Sequence, residues 1–112
     1  MNRIPIPIHE GIEFVLLQEI LYFKSNGNYS ILFHPEKTKK FTLRSLKELE
    51  RQLEGRGFCR IHHEFLVNLS HIVRYYKGDG GEVELTNGER LAVSRGKKAN
   101  LLSALRLNGD LI

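Results

Sequence analysis

The chain has 112 residues, 41% hydrophobic and 27% charged, with seventeen Lys/Arg against thirteen Asp/Glu for a net charge of +4. That length suits one domain with its own core, so residues 1–112 are expected to form a single unit. No run reaches the roughly 18 apolar residues of a membrane span, no secretory apolar core follows Met1, and the single cysteine, Cys59, excludes an internal disulfide and fits a reducing cytoplasm.

Residues 3–8 alternate strictly, with Ile4, Ile6 and Ile8 on one face. Pro5 and Pro7 remove ladder donors, which predicts an edge strand. Gly11 turns the chain, and residues 12–17 read as the returning strand. After a connector at 18–20, residues 20–24 form another strand. Asn26-Gly27-Asn28 is a tight-turn signal, because Asn and Gly tolerate positive φ. Strands are expected at 29–33 and 40–43, joined through His34-Pro35. Ser45-Leu46-Lys47-Glu48 spells a capping box. Leu46, Leu49 and Leu53 follow at helical spacing, and Gly55 and Gly57 end a helix of about 9 residues. Residues 58–60, 63–68, 73–76, 82–85 and 90–93 read as further strands, with a glycine-rich loop at 77–81 and an Asn87-Gly88 hairpin turn. Ser94 is expected to cap a last helix that buries Leu101, Leu102 and Leu105 and stops at Gly109. Eight to ten short strands with two small helices predict a β-rich, sandwich-like domain.

Little in the chain suggests catalysis or metal binding. Adjacent residues on a strand point to opposite faces, so His62 and His63 are not expected to form one ligand face. Cys59 sits between Phe58 and Arg60, with Ile61 next, and reads as a packed thiol. No pair of acids is placed for general acid–base work. The glycines at 78–81 precede a strand, unlike a phosphate-cradling loop. The expectation is a non-enzyme without cofactor or metal.

Two features stand out as costly for a fold alone, and a third is a turn with a possible second role. Arg95, Lys97 and Lys98 fall near the expected start of the last helix, where the macrodipole disfavours cations; a phosphate would relieve that. Asn68 closes the apolar run Phe65-Leu66-Val67. It either bonds its own backbone at the strand end or presents an amide outward, where it could pair with adenine. Asn28 and Tyr29 either serve the turn or contact a nucleic acid from it. A cationic face of this kind attracts phosphates, with Lys24 and Arg60 as further phosphate candidates. The competing reading is a β-rich protein-interaction module that pairs through the edge strand at 3–8.

The run Phe58-Cys59-Arg60-Ile61-His62-His63-Glu64-Phe65-Leu66-Val67-Asn68, followed by Ile72, resembles the signature of the LytTR family of bacterial DNA-binding domains. The resemblance extends to Ile8–Ile12, the 20–23 strand, the Asn26–Tyr29 turn, the 46–53 helix and Val93-Ser94-Arg95. It implies an elongated β-β-β sandwich of about ten short strands in three antiparallel sheets with two small helices. It also implies sequence-specific binding of double-stranded DNA through loops in successive major grooves. Base contacts would come from Asn28, Asn68 and Arg95, and backbone contacts from Tyr29, Ser30, Lys24, Arg60, His63, Lys97 and Lys98. The implied setting is a cytoplasmic transcription regulator or the output domain of a two-component response regulator. Its DNA would carry directly repeated half-sites and be bound as a dimer, with a receiver domain or sensor kinase outside this chain and no membrane. Two positions depart from the family pattern: Glu64 replaces the usual Ser, and His63 stands where Arg or Lys is common.

Overall fold

The computed structural model describes residues 2–36 and 38–106. Among them are ten strands in three antiparallel sheets, two α-helices and three short 3-10 turns. The first sheet is the hairpin β1 (Arg3–Ile8) and β2 (Gly11–Leu16). The central sheet contains β3 (Tyr22–Asn26), β4 (Tyr29–Phe33), β5 (Lys39–Thr42), β6 (Phe58–His62) and β7 (Phe65–Asn68), in the order β5-β4-β3-β7-β6. The third contains β8 (Ile72–Tyr76), β9 (Glu82–Leu85) and β10 (Arg90–Ala92) in the order β10-β9-β8. The helices are α1 (Leu46–Gln52) and α2 (Lys98–Ala104). The described chain measures 48 × 26 × 25 Å, the elongated β-β-β sandwich that the family resemblance implied.

The central sheet is buried on both faces, which explains its dense apolar runs. Side chains alternate across a strand, so Phe23, Leu32 and Leu66 enter one core while Tyr22 and Val67 enter the other. The first core is closed by Ile4, Ile6 and Val15 of the hairpin and by Leu46, Leu49 and Leu53 of the α1 region. The second is closed by Val83, Leu85 and Leu91 of the third sheet, by Val93, and by Leu101 of α2. Cys59 and Ile61 of β6 also belong to this second core.

Ser45 caps α1 as its sequence predicts: its Oγ accepts from the Glu48 amide at 3.2 Å and Glu48 Oε1 accepts from the Ser45 amide at 2.9 Å. Those bonds hold the Glu48 carboxyl below the usual range. The helix is seven residues rather than about nine, with Leu53 as its C-cap.

The end of the chain departs further from expectation. The Ser94 side chain makes no capping bond; residues Arg95–Lys97 form a 3-10 turn, and α2 starts only at Lys98. Arg95 therefore does not stand at the first turn of α2, and the macrodipole argument for it does not apply. The expected stop at Gly109 lies outside the described residues. Another correction concerns residues 63–68, read as one strand. The chain turns at His63-Glu64, and a bulge between Arg60 and His62 shifts the register.

Replacing Ser45 by Ala should lower unfolding free energy by about 1 kcal/mol. Leu49→Ala, at a fully buried position, should cost about 2–5 kcal/mol. Urea titration of both variants checks the contrast between cap and core.

Candidate nucleic-acid interface

β3 pairs antiparallel with β4 on one side and with β7 on the other. Its C-terminal end therefore meets both the start of β4 and the start of β7. The Asn26–Tyr29 turn and the His62–Glu64 turn are brought to the same end of the sheet, tied by the Ser25 amide donating to the Glu64 carbonyl at 3.0 Å. On the far side of β6, the Ser94 amide donates to the Ile61 carbonyl at 2.9 Å. That bond sets Arg95 beside the closing end of β6. Three strand intervals separate β4 from β6, roughly 14 Å at the usual spacing.

Along this rim the exposed groups are polar, cationic or aromatic, with the carboxylates of Glu64 and Asp79 beside His63 and Arg95. Gly27 takes φ 65° and lets the first turn close. Asn28 is exposed, and its amide has no hydrogen-bond partner among the described residues. Tyr29 is 53% exposed. The His63 side chain is 79% exposed, with Nε2 4.0 Å from the Glu64 carboxylate. Arg95 is 83% exposed and 3.7 Å from Asp79. Lys24, Lys97 and Lys98 are half-buried, and Lys98 Nζ donates to the Gly78 carbonyl at 3.3 Å.

Three expected contact residues are placed differently. Asn68 is buried at 5% exposure. Its Nδ2 donates to the Leu17 carbonyl at 3.1 Å and the Ile20 carbonyl at 2.9 Å, while its Oδ1 accepts from the Ser70 amide and hydroxyl at 3.1 and 2.8 Å. Both of its donors and its acceptor are engaged, so no outward amide is left to meet a base edge. Ser30 is fully buried opposite Thr42 and cannot reach a ligand from there.

Arg60 is no free cation. Its Nε donates to the His62 carbonyl at 2.8 Å, one terminal nitrogen to the His63 carbonyl at 2.6 Å and the other to Glu50 at 2.8 Å. It braces the His62–Glu64 turn from behind, a role that the cationic spacing did not reveal.

For His62 and His63 the opposite-face rule holds only without a bulge, and a bulge is present. The bulge and turn bring their rings to 4.3 Å centroid separation. His62 Nδ1 accepts from the Glu64 amide at 3.1 Å. Burial first, and the neighbouring His63 second, hold the His62 imidazole below its ordinary pKa. No group of three or more His, Cys, Asp or Glu among the described residues is placed to hold a metal. Cys59 is buried, its Sγ 3.7 Å from Asn100 Nδ2, and burial pushes its thiol pKa up.

The described turns thus present an amide, an imidazole and a guanidinium along one rim of the β scaffold. The LytTr DNA-binding domain family matches residues 10–106, and the chain belongs to that family. The family is a DNA-binding domain, and the chain is not an enzyme. It is 26% identical over 110 residues to the CO-responsive transcriptional regulator RcoM of Rhodospirillum rubrum, covering 96% of this chain and 46% of that protein. The sensory transduction protein LytT of Bacillus anthracis is likewise 26% identical over 110 residues, covering 96% and 44%. The chain thus spans less than half the length of these relatives. A solved LytTr DNA-binding domain from Bacillus cereus shares the fold, with a TM-score of 0.77 at 23% identity, covering 94% of this chain and 97% of that one. No described helix is long and apolar enough to cross a membrane.

Asn68→Ala should destabilise the fold by at least about 2 kcal/mol, because it strands buried backbone groups. The molecules that remain folded should bind DNA as the parent does; chemical denaturation with a binding assay below the transition checks both. The His62 environment sets a pH dependence. Its folded pKa lies below that of the unfolded chain, near 6.5, so the unfolded state takes up more protons as pH falls through that region. Stability present above about pH 6.5 should decline on acidification. His62→Gln should flatten that decline when urea midpoints at neutral and mildly acidic pH are compared.

Proposed function

We propose that the chain is a single sequence-specific DNA-binding unit that reads double-stranded DNA through the turns of its rim. Asn28 and Arg95 contact base edges, and His63, Tyr29, Lys24, Lys97 and Lys98 meet the sugar–phosphate backbone. The observation that carries this reading is the convergence of three exposed segments on one end of one sheet: the Asn26–Tyr29 turn, the His62–Glu64 turn and Arg95. The roughly 14 Å from β4 to β6 is close to the major-groove width of about 12 Å. Loops on such a rim can enter a groove that would otherwise take a helix.

Arg95 suits guanine, whose O6 and N7 accept two parallel bonds from a guanidinium. His63 brings a neutral or cationic donor where its relatives commonly have a fixed cation. The Glu64 carboxylate lies 4.0 Å from His63 Nε2, beside that imidazole on the rim.

The longer relatives include a transcriptional regulator and a sensory transduction protein. By analogy, the chain acts in the cytoplasm as the DNA-reading part of a regulator, of the two-component response type. It would be joined to or controlled by a receiver domain or sensor kinase, and it would dimerise on directly repeated half-sites.

Selection of bound sequences from a random duplex library tests this directly. Enrichment of one motif, repeated in the same orientation, is the expected result; no enrichment at low salt would refute the reading. On the selected site Arg95→Ala should weaken binding by about 1–3 kcal/mol and relax preference at one base pair. Lys98→Ala should weaken binding to all duplexes and reduce the salt slope by about one.

A further inference from the structure

Among the described residues the Arg95 guanidinium has one acidic neighbour within 4 Å, Asp79 at 3.7 Å, and both side chains are more than four-fifths exposed. A pair so exposed adds little to stability. The backbone that carries Asp79 is nonetheless fixed. A Cβ on Gly80 would lie 1.8 Å from the Val93 carbonyl oxygen, so only glycine permits that approach. The Gly80 carbonyl accepts from the Tyr75 hydroxyl at 2.7 Å, and the Gly81 carbonyl accepts from the Val93 amide at 2.9 Å. The Gly78 carbonyl takes the Lys98 ammonium. Residues on both sides of Asp79 are therefore fastened to the segment that bears Arg95. Residues 94–106 carry no acid of their own.

The geometry points to Asp79 as a positioning residue that determines how selectively Arg95 reads a base; this rests on the DNA-binding reading above. Arg95 is followed by Gly96, which has open space around it. Alone on such a turn, a guanidinium would swing freely, and any nearby phosphate would draw it regardless of sequence. A carboxylate held near one terminal nitrogen of the planar fork biases its orientation and still leaves two N–H groups for guanine O6 and N7. The same negative charge keeps a phosphate from taking that place. Asp79 gives up some sequence-independent attraction in exchange for discrimination at one base pair.

The test uses the full chain, a site selected from random duplexes, its single-base-pair variants and a scrambled duplex. Binding is measured for the parent, D79N, R95A and the double variant. Because Asp79 is exposed, D79N should leave the melting temperature unchanged. It should bind the scrambled duplex at least as tightly as the parent and lose about tenfold discrimination at one G·C pair. That pair should be the one at which R95A loses discrimination, and in the R95A background D79N should change discrimination nowhere. Equal strengthening on selected and scrambled duplexes would show that Asp79 is only a repelling charge and overturn the proposal. So would a loss that persists without Arg95. A parent chain that enriches no sequence would remove base reading itself, and the role of Asp79 with it, a result distinct from both.

Discussion

The antiparallel pairing of β3 on both its edges is the constraint on which the binding rim depends. A strand that runs antiparallel to two neighbours must meet both of their starting ends at its own finish. The turn before β4 and the turn before β7 therefore stand side by side, although about 35 residues separate them in the chain. The bond between the Ser25 amide and the Glu64 carbonyl locks that adjacency. Burial on both faces then holds the sheet itself. A slip by one residue would send Phe23 and Leu66 into the wrong core along with Tyr22 and Val67.

Around that frame, polar side chains divide into braces and exposed groups. Asn68 ties the end of β7 to the carbonyls of Leu17 and Ile20, the connector between the first and central sheets. Arg60 holds the carbonyls of His62 and His63 from behind. Both spend their hydrogen-bonding capacity inside the protein. Because the turns are held this way, Asn28, His63 and Arg95 can be exposed without being loosely placed. Less ordering is then left to be met on binding, which favours affinity for a rigid duplex.

Much of the fold was legible because its signals are local. Asn26-Gly27 marks a turn that needs a left-handed residue, and Gly27 adopts it. Ser45 and Glu48 spell a capping box and form one. The alternating isoleucines of 3–8 mark a strand with one buried face, and Ile4 and Ile6 are buried. What escaped depends on distant partners or on turns without the usual residues. No glycine, proline or asparagine announces the His63-Glu64 turn. Ser94 is a residue type that caps helices well, but the chain takes a 3-10 turn first. The Asn68 Oδ1 bond to the Ser70 amide is the local one that the strand-end reading expected, but the carbonyls that take its Nδ2 lie 51 and 48 residues away, beyond any local pattern. The bracing role of Arg60 is hidden in the same way. Its neighbours His62 and His63 are close in sequence, but only the bulge and turn bring their carbonyls to its fork.

A backbone amide NMR map of the chain titrated with its selected duplex tests the location of the interface most directly. Perturbed amides should cluster at residues 26–29, 62–64 and 94–96, with the outer faces of α1 and of the third sheet unaffected. Shifts concentrated on α1 and α2, or on the outer face of β8–β10, with the rim silent, would contradict the proposed interface.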